Sequence, residues 1–240
     1  MTPEQGEEIL RLREAKVAPK QIARKLGLRP AEVKVYIRDH SEALVLKKAQ
    51  EGTLQPVHEC LVNQSAAKRL LDGEPLDADE GVGGMAQILL ARQDGNRIVS
   101  ASYLVDYWCL GVKDVIPPES MGSSRYERFK QLLLKQFHEP FVEITLEQAQ
   151  SIIYGAVDYA RSLGLEPARD FDRKAEIHLG LRPETLIPLE FGKDGQPFYF
   201  AGPYDNANQI IKTLTANVGP DNFHYVVAID PLEDDLGLLE

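Results

Sequence analysis

The segment from residue 19 to residue 39 constrains this 240-residue chain most, because its apolar residues and its glycine fit two helices joined by a tight turn. Gly27 can adopt a positive φ, and Pro30 suits the first turn of the helix that follows. Ala23 is small, which allows the two helices to cross closely. The other apolar residues fall at helical spacing on both sides of the turn, and they are Ile22, Leu26, Leu28, Val33, Tyr36 and Ile37. We therefore predict two helices held at a steep angle.

A third helix is predicted before this pair. Thr2 can cap it, Pro3 fits its first position, and Gln5 completes a capping box. Ile9, with Leu10 and Leu12, supplies its apolar face. Residues 1–52 are thus predicted to form a small all-α domain.

This domain resembles the helix-turn-helix of resolvase-type and sigma-factor-type DNA-binding domains over about its first 40 residues. In such a module the second helix of the pair enters the major groove of double-stranded DNA with its N-terminal end first. The resemblance implies contacts with bases or with atoms near them for Arg29, Ala31, Lys34 and Val35. Arg29 and Arg38 could bind guanine or phosphate, and Lys34 could also do either. Lys20 and Arg24 on the preceding helix would hold backbone phosphates.

The charge of the chain is uneven. Residues 1–50 contain 11 basic and 7 acidic residues, a net charge of +4. The whole chain has a net charge of −10, so residues 51–240 carry −14. A basic N-terminal domain on an acidic remainder suits a protein that meets nucleic acid with one end only. One module makes few contacts, so we expect a homodimer on a repeated half-site. The alternative is that the three helices pack only as a dimerisation or interaction unit.

Residues 52–56 read as a linker, so we predict a second domain over residues 53–240. Its pattern alternates between strands and helices and predicts an α+β fold with a largely antiparallel sheet. Strands are expected at 57–62, 87–92, 98–107 and 223–229, with a turn at 94–96 and a second hairpin formed by 186–191 and 198–201. Helices are expected at 66–71, at 123–137, from the capping box at Thr145 to Gly164, and from Asp205 to 216. Residues 73–84 read as a loop. The sequence around Trp108 and Phe198 resembles uncharacterised bacterial proteins, which implies no function.

Several polar residues of the second domain suggest an alternative function, a metal-dependent nuclease or related hydrolase that the N-terminal domain targets to DNA. His58, Asp106 and Asp114, with Glu59 beside them, would surround a divalent ion. Asp106 lies in an apolar stretch, where a charge is costly unless it is paired or functional. The structural alternative, which we favour, is that Asp106 caps the end of a strand or pairs with a basic residue. We therefore expect a regulator with a dimerising or ligand-sensing second domain rather than an enzyme.

Other classes of site are disfavoured by the sequence. Cys60 and Cys109 occur without a Cys-x-x-Cys pair, so zinc is not expected, and two cysteines give no disulfide framework. The glycines at 81–84 are not followed by Lys-Ser or Lys-Thr, which excludes a P-loop. No apolar stretch approaches the roughly 20 residues that a membrane span needs, and the N-terminus has no signal-peptide pattern. We expect a cytoplasmic protein without cofactor, bound metal or membrane partner.

Overall fold

The computed structural model of the protein describes residues 1–15, 17–74 and 83–227. The chain divides into two compact units, residues 1–54 and residues 55–240. The loop expected at 73–84 lies largely outside the described residues. The two units are called the first unit and the second unit below.

The first unit consists of three helices: α1 (Pro3–Glu14), α2 (Pro19–Leu26) and α3 (Pro30–Gln50). The capping box predicted at the start of α1 is confirmed, because the backbone N–H of Gln5 donates to Thr2 Oγ1 and the N–H of Thr2 donates to Gln5 Oε1. Helix α2 ends at Gly27, whose φ of 65° is the positive value expected from the sequence. The α3 helix begins at Pro30, also as expected.

A small apolar core joins the three helices. Gly6 allows α1 and α3 to approach closely, since a Cβ there would lie 2.3 Å from the hydroxyl oxygen of Tyr36. This contact was not predicted from the sequence. The fully or almost fully buried side chains are Ile9, Leu12, Ile22, Ala23 and Val33. The side chains packed around them are Val17, Leu26, Leu28, Tyr36 and Ile37. The core residues of α2 and of the first half of α3 are those that the helical spacing predicted.

The second unit is built on a five-stranded antiparallel sheet with the order β4-β3-β2-β1-β5. Its strands are β1 (Val57–Asn63), β2 (Met85–Asp94), β3 (Arg97–Asp106), β4 (Gly111–Gly122) and β5 (Phe141–Glu143). Its helices are α4 (Gln64–Leu71), α5 (Ser123–Leu134), α6 (Leu146–Ser162), α7 (Arg173–Leu179) and α8 (Ala207–Val218), with a 3-10 turn at Lys135–Phe137. Two short strands, β6 (Phe198–Phe200) and β7 (His224–Val226), pair in parallel. The predicted α+β fold with a largely antiparallel sheet is confirmed.

The two faces of the sheet carry different helices. Helix α6 packs on one face, and Gly111 of β4 allows a close approach there, since a Cβ would lie 2.8 Å from the Ala156 carbonyl oxygen. The capping box predicted at Thr145 is confirmed at the start of this helix. Helix α5 contributes Tyr126 and Leu133 to a second cluster on β2, β3 and β4. Leu132 of the same helix is 67% exposed.

The second predicted hairpin is wrong. Residues 186–191 form no strand, and β6 pairs in parallel with β7 rather than with them. The turn itself forms, with positive φ at Asp194 and Gly195 and one bridge between Lys193 and Gln196. Leu189 and Phe191 pack against the main core instead of extending the ladder. Tertiary packing therefore overrides the local turn signal.

The predicted start of α8 is also wrong. Asn206, and not Asp205, caps this helix by accepting from the Gln209 N–H. The carboxylate of Asp205 instead accepts from the Gly202 N–H at 2.8 Å and from Lys113 Nζ at 2.9 Å. The strand expected at 223–229 is limited to β7, and residues 228–229 lie outside the described part of the chain.

Candidate functional site

The residues expected to contact DNA lie on the outer surface of α2, of the turn after it and of the first half of α3. Their spacing keeps them off the helical face that Ile22, Ala23 and Val33 bury in the core. All seven are exposed: Lys20, Arg24, Arg29, Ala31, Lys34, Val35 and Arg38. The local fold therefore leaves each of these side chains open to solvent.

Positive charge is concentrated on this part of the first unit. Residues 18–38 contain six basic residues and one acidic residue, whereas α1 contains four glutamates and two arginines. The acidic residue among 18–38 is Glu32, whose carboxylate accepts from the backbone N–H of Arg29 at 3.3 Å. Glu32 thus caps the start of α3, where its charge also interacts favourably with the helix dipole.

Several basic side chains of the first unit form ion pairs within it. Glu8 binds Arg11 at 2.6 Å and lies 3.7 Å from Lys25, and the hydrogen bond from Arg11 lowers the pKa of Glu8. Arg38 pairs with Asp39 at 2.9 Å. Four basic side chains form no ion pair with any described residue: Lys20, Arg24, Arg29 and Lys34. We call these four residues the cationic surface.

Two apolar residues lie next to the cationic surface on α3. Ala31 and Val35 are four positions apart, so they share one face of the helix. Val35 is 45% exposed, although its side chain is apolar. An exposed methyl-bearing side chain between basic residues is a suitable group for contact with the 5-methyl group of thymine.

Asp106 in the second unit has a structural role. It is 5% exposed at the end of β3, and its Oδ1 accepts the backbone N–H groups of Trp108 and Cys109, both at 3.0 Å. Burial raises the pKa of Asp106 to about 6, although these N–H donors and Lys113 act in the opposite direction. This arrangement matches the structural alternative that Asp106 caps the end of a strand.

The structure does not bring His58, Asp106 and Asp114 together. The register places His58 beside the Arg92 end of β2 and Asp106 opposite Met85 at the other end. Six residues of strand separate these positions, which is roughly 20 Å. His58 instead contacts the ring of Tyr126, with 5.9 Å between ring centroids.

Asp114 lies on β4, adjacent to β3, but it is exposed whereas Asp106 is buried. Within residues 1–15, 17–74 and 83–227, no three His, Cys, Asp or Glu residues are arranged to hold a metal ion. Burial raises the pKa of the Cys60 thiol to about 12 and also raises that of Cys109, which disfavours a thiolate nucleophile at either position.

The second unit contains a cavity that was not predicted from the sequence, lined in part by Lys68, Gln87 and Glu139. Gln87 was the available signal, since it interrupts the apolar run of β2 and a buried amide needs partners. The cavity residues come from separate segments of the chain, so no local motif indicates them.

The glycine-containing turn at 202–206 holds the carboxylate of Asp205, which accepts from the backbone N–H of Gly202. No helix in the described ranges is long and apolar enough to cross a membrane. Comparison of the chain with family models, curated proteins and solved structures found no match.

Proposed function

We propose that this protein is a DNA-binding transcriptional regulator that contacts double-stranded DNA through α2 and α3 of its first unit. The observation that carries this proposal is the cationic surface, in which four exposed basic side chains without an ion pair to any described residue flank the turn at Gly27. Basic side chains that neutralise phosphates release the counterions condensed on DNA, and this release favours binding.

The two helices have different roles in the proposed complex. The first two turns of α3 enter the major groove, where Arg29 and Lys34 reach base edges or nearby phosphates. Lys20 and Arg24 on α2 bind the phosphate backbone and fix the orientation of α3. Ala31 and Val35 supply apolar contacts with the bases, such as with the 5-methyl group of thymine.

The proposed complex contains two copies of the chain. A single three-helix module makes few contacts with DNA, and the acidic remainder of the chain repels phosphate. We propose a homodimer that places two first units on a repeated half-site, which would raise the affinity to a useful level.

The test is selection of bound fragments from a random duplex pool with the full chain and with a chelator present, followed by affinity measurements on the selected sequence. We expect sequence-selective binding that needs no metal ion. Arg29→Ala and Lys34→Ala should each weaken binding by at least about 10-fold, because the loss of one base contact costs roughly 1–3 kcal/mol and the homodimer loses two.

Lys47→Ala is the matched control, because Lys47 is an exposed lysine on α3 beyond the proposed contact region and pairs with Glu51. Its DNA affinity should stay close to that of the unchanged protein. Equal affinity of Arg29→Ala, Lys34→Ala and Lys47→Ala would refute the proposed interface.

A further inference from the structure

A cavity of about 730 Å³ lies in the second unit, and all the residues that line it belong to that unit. This volume is in the range of small-molecule sites. Three sets of residues line it: Met85, Gln87 and Leu104 from β2 and β3; Gln64, Ser65 and Lys68 from α4; and residues 136–140 before β5. Its lining therefore combines apolar side chains with charged and amide groups.

One side of the cavity is held by a hydrogen-bonded network. Ser65 donates its backbone N–H to Glu139 Oε2 and its hydroxyl to Glu139 Oε1, both at 2.8 Å. The Asn63 amide, which is almost fully buried, donates to the same Oε1 at 2.9 Å. The carboxylate of Glu139 therefore lies against the N-terminal end of α4. The network holds it in place and puts a negative charge on this side of the cavity.

Gln87 presents a hydrogen-bond acceptor to the cavity. The residue is 5% exposed, and its amide nitrogen donates to Ser102 Oγ and to the carbonyl oxygen of Tyr103. A carbonyl can only accept, so this contact fixes the orientation of the amide. The amide oxygen of Gln87 accepts no hydrogen bond from any described residue. This oxygen is not fully enclosed by protein, so a ligand in the cavity that brings a donor can bind to it.

Lys68 presents the complementary charge. It lies on α4 one turn after Ser65, is half-buried, and forms no ion pair with a residue in the described ranges. An ammonium group in a partly enclosed cavity favours an anionic ligand group. Leu104, Met85 and Phe137 form an apolar part of the lining, which can contact an apolar portion of the ligand.

We infer that this cavity binds a small organic acid that also carries an amino or hydroxyl group. The carboxylate of the ligand pairs with Lys68, and its N–H or O–H donates to the amide oxygen of Gln87. An ammonium group would also gain from the negative charge of Glu139. The inference concerns the second unit alone and does not depend on DNA binding.

The test is isothermal titration of the full chain without DNA. The probes are the twenty protein amino acids, a set of dipeptides, and the hydroxy acids glycolate, lactate and malate. Matched compounds that lack one group are acetate, propionate and succinate, without the donor, and ethylamine and ethanolamine, without the acid. We expect at least one probe with both groups to bind at least 10-fold more tightly than its matched compounds.

Two cavity variants and one control locate the site. Lys68→Met and Gln87→Met should each reduce the affinity of the bound probe by at least 10-fold, with circular dichroism confirming that the variants fold. Lys212→Met, which removes an exposed lysine on α8, should leave the affinity unchanged. If Gln87→Met does not fold, the Lys68→Met result and the comparison of matched compounds decide.

Three results would overturn the inference. These are no binding by any probe at millimolar concentration, equal binding of acids with and without a donor, and binding that Lys68→Met leaves intact. Because DNA is absent from this experiment, its outcome is separate from that of the duplex selection.

Discussion

At the scale of single residues, Asp106 shows how a buried carboxylate can be explained without catalysis. Its carboxylate accepts two backbone N–H groups at 3.0 Å, which satisfies the turn after β3. Burial nevertheless disfavours the charged form and raises the pKa to about 6. The folded protein therefore retains a proton on Asp106 in a pH range where the unfolded chain has lost it.

This difference predicts the pH dependence of the Asp106→Asn variant. Between about pH 4 and pH 6 the folded state binds more protons than the unfolded state, so the contribution of Asp106 to stability falls as pH rises. Asparagine retains an acceptor for the Trp108 and Cys109 N–H groups without the charge. We expect Asp106→Asn to have a free energy of unfolding similar to that of the unchanged protein at pH 4 and about 2–3 kcal/mol higher at pH 7, because each pKa unit corresponds to about 1.4 kcal/mol.

Urea unfolding of the full chain at pH 4, 5, 6 and 7, followed by the fluorescence of Trp108, measures this difference for the second unit, because Trp108 is the single tryptophan of the sequence. Asp114→Asn, an exposed carboxylate on the neighbouring strand, is the matched control and should show little change at any of these pH values. A loss of stability in Asp106→Asn that grows with pH would contradict the explanation.

Residue-level signals predicted the first unit better than the second. The positive φ of Gly27 follows from the local need to end α2, and the structure has it. Asp205 was misassigned because its carboxylate is bound by Lys113, which is 92 positions away in the sequence. Local rules for helix caps do not include such distant partners.

At the scale of elements, the turn between α2 and α3 sets the direction in which α3 leaves the core. Gly27 has a φ of 65°, and a Cβ added there would meet nothing within 4 Å. A substitution is therefore opposed by backbone conformation alone and not by a steric clash. This makes Gly27 a clean test of how much the turn contributes.

We expect Gly27→Ala to destabilise the first unit by about 1 kcal/mol, and Gly27→Asn to do so by less because asparagine tolerates the left-handed region. Hydrogen exchange of the α2 and α3 amides in the full chain is the appropriate measurement, because unfolding of two units is not a single transition. Exchange should accelerate about fivefold in Gly27→Ala, as 1 kcal/mol corresponds to that factor.

The matched control for this change is Gly122→Ala. A Cβ added at Gly122 would also meet nothing within 4 Å, but the φ of −77° at this position suits any residue. In the Gly122→Ala protein, hydrogen exchange of the α2 and α3 amides should proceed at the original rate. A Gly27→Ala protein that exchanges at the original rate would show that the turn does not require glycine.

Element prediction succeeded where one local signal was strong and failed where tertiary packing decided. The capping boxes at Thr2 and Thr145 correctly marked two helix starts. Strand β4 was not predicted, because Pro117 and Pro118 interrupt its pattern; at the sheet edge a proline is tolerated. The seven proposed DNA contacts could be placed from the sequence, since helical spacing determines their exposure.

At the scale of the whole molecule, charge is divided along the chain, with +4 over residues 1–50 and −14 over the rest. This division was readable from the sequence, because it depends on composition alone. The cavity was not, because residues 64–68, 85–87, 104 and 136–140 become neighbours only in the folded second unit. Properties that depend on contacts between distant parts of the chain can be identified only from the structure.

The charge division also leads to a prediction that distinguishes one bound DNA-binding unit from two. If each of the four residues of the cationic surface neutralises one phosphate, a plot of log affinity against log salt has a slope of about −3.6 for one unit, since each phosphate contributes about −0.9. A homodimer doubles the number of contacts, so we expect a slope of about −7 for the full chain on its selected site. Lys20→Ala should make this slope less steep by about 2, because the dimer loses two phosphate contacts. Lys47→Ala should not change it.

A slope near −4 that Lys20→Ala reduces by about 1 would favour a single bound unit over the homodimer. A slope near zero would remove the electrostatic basis of the proposed interface.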